Sequence, residues 1–80
     1  MRSPHPIPEH SNVALTEDLA EHGLKAGDVG TIVDVHKGGE GYEVEFCTLT
    51  GETIGVVTLY AAQVRPIGQR EIPSARRLAS

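Results

Sequence analysis

Cysteine is nearly absent from this chain of 80 residues: Cys47 stands alone, and one thiol closes no intrachain disulfide. A disulfide-stapled secreted scaffold is thereby excluded, and a reducing cytoplasm is the expected compartment. Tryptophan is missing, and Tyr42, Phe46 and Tyr60 are the whole aromatic set. So few rings poorly support the aromatic-lined groove that holds polyproline ligands. Long apolar runs are missing as well. The first nine residues, with prolines at 4, 6 and 8, lack the apolar stretch of a signal peptide, and no segment approaches bilayer-spanning length. A soluble protein without a membrane role is expected. Basic residues are scarce over most of the chain: across residues 12–66 nine acids face Lys25, Lys37 and Arg65, a net charge of −6, whereas from Ile67 onward Arg70, Arg76 and Arg77 outweigh Glu71 to give +2. An acidic body repels nucleic-acid phosphates and attracts a basic protein, although excess acid also serves solubility by itself.

Catalytic and metal-binding patterns are lacking too. His5, His10, His22 and His36 show no ligand spacing, and Cys47 has no second cysteine to join it around a metal. Neither a metal nor a cofactor is expected. A Cys47–His36 nucleophile pair has no orienting third group, so a small buried thiol and a solvated imidazole are the expected roles. The glycines at 38, 39 and 41 surround an acid, Glu40, and no P-loop lysine or hydroxyl follows, which makes this a hairpin loop instead of a phosphate cradle. Glu43 and Glu45, two apart on a strand, occupy one solvated face and are not an acid–base pair.

What is present is organised around residues 25–58. Gly27 and Gly30 bracket a turn that feeds Thr31-Ile32-Val33-Asp34-Val35, and Tyr42-Glu43-Val44-Glu45-Phe46 alternates strictly between apolar and acidic, the period-two mark of a half-buried strand. With residues 37–40 as a four-residue loop, parity pairs Val35 with Tyr42, Val33 with Val44 and Thr31 with Phe46. The face opposite the core then carries Ile32, Asp34, Glu43 and Glu45. Ile32 is the misfit there: it either packs under the long first loop or forms an exposed apolar patch. Residues 12–15 form a first strand, and residues 19–24 a single helical turn inside the loop that follows. Residues 48–52 make a second hairpin turn. Residues 53–59 form the next strand, with Gly55 marking a bulge or bend, residues 60–63 a 3₁₀ turn, and residues 64–66 a last short strand. Residues 1–11 read as a flexible Pro-rich arm, residues 12–67 as the folded domain, and residues 68–80 as a basic tail. In the tail, Ile72, Ala75 and Leu78 are spaced by three. The tail folds on a partner, docks its arginines on the acidic body, or stays disordered, which is the default for a terminus.

Five short strands with a long first loop, two hairpins and a helical turn before the last strand describe an all-β fold: a small five-stranded SH3-like antiparallel barrel. Eighty residues bury only about 60–65 % of the surface of the unfolded chain, so its core is thin. The runs Ala14 to Leu19, Gly23 to Val33, Tyr42 to Phe46 and Gln63 to Pro66 resemble the small bacterial proteins of the DUF4926 family. That resemblance implies the barrel, supplies no catalytic residues, and suggests an antitoxin-like or accessory partner of a neighbouring gene's product. The expected function is therefore a non-enzymatic protein-binding module, with Asp34, Glu43 and Glu45 as its acidic surface and Ile32 and Tyr60 as apolar anchors. The alternative reading is a nucleic-acid or ribosome-associated module relying on the tail arginines, and a weaker third is a subunit-like fragment of an enzyme. An open edge strand also leaves homo-oligomers open.

Overall fold

The structure, a computed structural model, describes residues 6–78. Five antiparallel strands, β1 (Asn12–Leu15), β2 (Val29–His36), β3 (Gly41–Cys47), β4 (Thr53–Tyr60) and β5 (Val64–Pro66), form one sheet in the order β4-β3-β2-β1-β5. The fold is all-β, as the alternation predicts. Closure into a barrel does not follow: β4 and β5 end the sheet, and no ladder joins them among the described residues. The sheet nevertheless curls. Val57 and Leu59 from one end share a single buried cluster with Val13, Leu15 and Val64 from the other.

Turn chemistry places the connections. The loop between β2 and β3 occupies residues 37–40, where Lys37, Gly38 and Gly39 take φ values of 48°, 68° and 111°. Glycine adopts such dihedrals without steric penalty, so two of the three positions are relaxed. In the β3–β4 turn the Thr48 N–H donates to the Glu52 carbonyl at 2.8 Å, and the Thr48 Oγ1 accepts the Glu52 N–H at 3.0 Å. The long β1–β2 connection contains a 3₁₀ turn, Ala20–His22, and a second one, Ala61–Gln63, precedes β5. Thr16 fastens that second turn to the end of β1, donating its N–H to the Gln63 carbonyl at 2.9 Å and its hydroxyl to the Ala62 carbonyl at 2.8 Å.

A β-bulge corrects the expected register. Val35 pairs with Tyr42 as parity predicts, but the ladder shifts between Ile32 and Asp34, so that Ile32 faces Val44 and Thr31 faces Glu45. Val33 is the extra residue. It inverts the parity of β2 before it while β3 runs straight, and Ile32 becomes fully buried while Val33 is 37 % exposed. The pairings Val33–Val44 and Thr31–Phe46 are therefore replaced, and Ile32 is a core residue instead of a surface anchor. Glu43 and Glu45 stay out of the core, which is why the bulge is better than a slip of the whole strand. A second shift lies between Phe46 and Cys47 and leaves Ile54 unpaired in β4, one residue before the glycine expected to mark it.

Residues 6–11 are docked, contrary to the flexible arm expected there. Ile7 packs against the core and donates its N–H to the Tyr42 hydroxyl at 3.0 Å, giving a buried phenol its partner. His10 and Ser11 then continue the ladder onto Ile32, the His10 N–H donating to the Ile32 carbonyl at 2.7 Å and the Ile32 N–H to the Ser11 carbonyl at 2.9 Å. The remainder of the expected arm, residues 1–5, lies outside the described residues, as do the last two residues of the tail.

Candidate functional site

Four of the five residues expected to bind a partner reach the surface. Asp34 faces Glu43, which faces Thr58; two rungs along, Glu45 faces Val56. Like charges opposite one another repel, so their side chains need compensation. Glu43 obtains it: its Oε2 lies 2.8 Å from His36 Nε2 and accepts the Thr58 hydroxyl at 2.8 Å. These bonds, that of His36 first, hold the Glu43 carboxyl below the usual glutamate range. Glu45 accepts a longer bond from Thr53 Oγ1 at 3.3 Å, and Asp34 accepts the N–H of Val35 at 3.0 Å. Glu45 and Asp34 thus remain the accessible charges. Exposed apolar side chains stand beside them, Val56 at 54 % and Tyr60 at 74 %. Ile32, from the core side of β2, contributes nothing to this face.

The two groups considered for nucleophilic chemistry are kept apart. His36 pairs with Gly41 at one end of β3 and Cys47 closes the other end, so six residues of extended chain, about 20 Å, separate them. Cys47 is exposed, not buried as expected. It lines a cleft and is not part of the core cluster. No group of three or more His, Cys, Asp and Glu side chains suited to a metal comes together among the described residues.

That cleft is the part of the molecule that strand periodicity could not reveal. After β5 the chain is turned back, with Glu71 accepting from Arg65 Nη1 at 2.8 Å and from the Gly68 N–H at 2.7 Å. It then runs without helix to Arg76, whose Nε donates to Asp28 Oδ1 at 2.8 Å while its Nη2 donates to Asp28 Oδ2 at 2.6 Å and to the Gly23 carbonyl at 3.1 Å. This is a two-pronged match of planar guanidinium to planar carboxylate. The seat is also held by bonds that do not involve the tail: Asp28 Oδ2 accepts the Lys25 N–H at 2.9 Å, and the turn is tied to β1 through the Gly27 N–H donating to the Leu15 carbonyl at 2.8 Å. Between the tail and Leu24, Val29, Phe46 and Ile54 lies a cleft of about 440 Å³.

The Arg76 hydrogen bond holds the Asp28 carboxyl below its ordinary value of 3.8. The sign of the linkage follows. Docking stabilises the charged carboxylate, so its contribution is complete above the ordinary value and is lost as pH falls through the lowered one. The Arg76 Nε–H resonance is expected to be unchanged from neutrality to mild acid and to take its free-arginine position only under stronger acid than 3.8; release already at mildly acidic pH would remove Asp28 as the anchor.

No helix among the described residues is long and apolar enough to cross a membrane. No curated protein and no solved structure matches the chain. A family model, described as a domain of unknown function, DUF4926, matches residues 9–66. The match takes in all five strands, both hairpins and the Asp28 seat but stops before the tail. On a match spanning well over half its length, this chain belongs to the DUF4926 family.

Proposed function

We propose that this chain is a non-enzymatic protein-binding module that engages a basic partner protein through the sheet face opposite its core. One observation carries the reading: the carboxylates of Asp34 on β2 and Glu45 on β3 share a sheet face with exposed Val56 and Tyr60 on β4. Charges of one sign steer a basic partner, and the apolar side chains supply area that is worth covering. A role as an antitoxin-like or accessory protein toward a neighbouring gene's product, on an SH3-like plan, is the biological form of this reading. A reducing cytoplasm suits the lone exposed thiol. The nucleic-acid alternative is weakened because Arg76, one of few cations in the tail, is committed to Asp28.

Capture from native lysate with the tagged chain tests the reading. A basic protein is expected in stoichiometric yield, released by a wash of about 1 M salt, where screening acts within a few ångströms. Glu45→Lys is expected to cut the yield about ten-fold, because a reversed charge at a steered interface repels the same partner. Equal capture by both chains would exclude this face, and recovery of RNA or ribosomal protein would favour the alternative.

A further inference from the structure

The cleft beside Asp28 has a floor of Leu24, Val29, Phe46 and Ile54, all within the family span, and a wall of tail residues beyond it. One strong contact holds the wall, the two-pronged bond of Arg76 to Asp28. The rest fits loosely. Pro73, Ser74 and Ala75 are short, the cleft of about 440 Å³ stays open between them and the floor, and Leu78 remains 40 % exposed. Here the tail uses the charged anchor but leaves Val29 and Ile54 37 % and 38 % exposed, beside Leu24 and Phe46, which belong to the core. Pockets that bind through apolar walls and a few placed polar groups have this composition.

We infer that the cleft is a docking groove for an extended segment of a partner protein, one that offers an arginine to Asp28 and a large apolar residue directly before it. The chain's own tail is a strap that the partner displaces. Charge selects the arginine: Asp28 receives it, and Asp18, whose carboxylate is fixed by the Ala26 N–H at 2.8 Å, adds its field. Position selects the apolar residue, since Ala75 precedes Arg76 and lines the unfilled space. The groove is distinct from the Asp34–Glu45 face and does not depend on it.

The test uses the full chain and a fluorescein-labelled peptide copying residues 70–80 with Ala75→Leu, followed by anisotropy. Arg76→Ala in the protein releases the strap and is expected to tighten peptide binding about ten-fold, as it would if the strap closes the groove nine-tenths of the time. Adding Asp28→Asn to that chain is expected to abolish binding, and thermal melts check that it folds. A peptide also carrying Arg76→Leu probes the same contact without altering the protein, and its binding is expected to be lost. Glu45→Lys in the Arg76→Ala chain is expected to change nothing, which separates this groove from the proposed partner face. Equal binding to the wild-type and Arg76→Ala chains, or binding indifferent to Asp28 and to the peptide's arginine, overturns the inference. Self-association of the wild-type chain that disappears with Asp28→Asn would assign the groove to a second copy and overturn the partner segment.

Discussion

Ile32→Ala is expected to lower the unfolding free energy by about 3 kcal/mol, and Val33→Ala, one residue along the same strand, by less than about 1 kcal/mol. Ile32 is fully enclosed in the cluster shared by all five strands, so truncation leaves a cavity, whereas Val33 is 37 % exposed at the bulge and water fills what is removed. Against a total stability of about 4–12 kcal/mol for a chain of this length, the first change is severe and the second is minor. Urea denaturation followed by far-ultraviolet circular dichroism measures both, since tryptophan fluorescence is not available. Melting would fall by about 15 °C for Ile32→Ala. A larger loss at Val33 than at Ile32 would mean that β2 runs without the bulge, in the register that simple parity predicts.

Gly30→Ala is expected to cost about 2 kcal/mol through overpacking. A Cβ at that position would lie 2.6 Å from Val44 Cγ1, 2.8 Å from Phe46 Cε1 and 3.0 Å from the Glu45 carbonyl oxygen. Neither side chain can swing away, because both are in the core. Gly55→Ala is the comparison, since nothing lies within 4 Å of a Cβ built there and its φ is ordinary. It should be neutral or slightly stabilising, by up to about 1 kcal/mol, through the reduced freedom of the unfolded chain. If both substitutions had the same effect, close approach of β2 to β3 could not be the reason for glycine at 30.

These two sites also mark where sequence reasoning reached its limit. Alternation in Tyr42-Glu43-Val44-Glu45-Phe46 located β3 and its buried face, and the glycines and threonines around residues 37–40 and 48–52 located both hairpins. 3₁₀ turns stand at Ala20–His22 and Ala61–Gln63, where a single helical turn within residues 19–24, cut short by Gly23, and a 3₁₀ turn at residues 60–63 were legible. The bulge was not, since parity presumes one residue per rung, and Val33 differs from Ile32 by a single methylene. The misplaced Ile32 was its trace: an isoleucine stranded on an acidic face is the sign that a strand has changed parity. Gly27 and Gly30 bracket the turn before β2, yet only Gly27 of that pair has positive φ. The contact that makes Gly30 necessary lies on another strand. On the acidic face, Asp34, Glu43 and Glu45 follow from strand alternation, but the His36–Glu43 bond joins two strands and neither strand alone announces it. Docking of the tail arginines on the acidic body is one of the alternatives that charge leaves open, and Arg76 takes it; which acid receives it, 48 residues away, charge alone does not say.

The unclosed sheet has two unlike ends. β5 presents three residues, of which Pro66 has no N–H to donate and Arg65 carries a charge. β4 presents eight, Thr53 to Tyr60, with neither a charge nor a proline. Charges and prolines are what keep an edge from recruiting a foreign strand, so among the described residues β4 is the edge that carries neither safeguard. A chain with one receptive edge cannot pass strands along from copy to copy. Two β4 edges can meet antiparallel about a two-fold axis, and each then consumes the other's free hydrogen bonds. Strand addition at the β4 edge, where it occurs, is therefore expected to stop at a symmetric pair instead of running on from copy to copy.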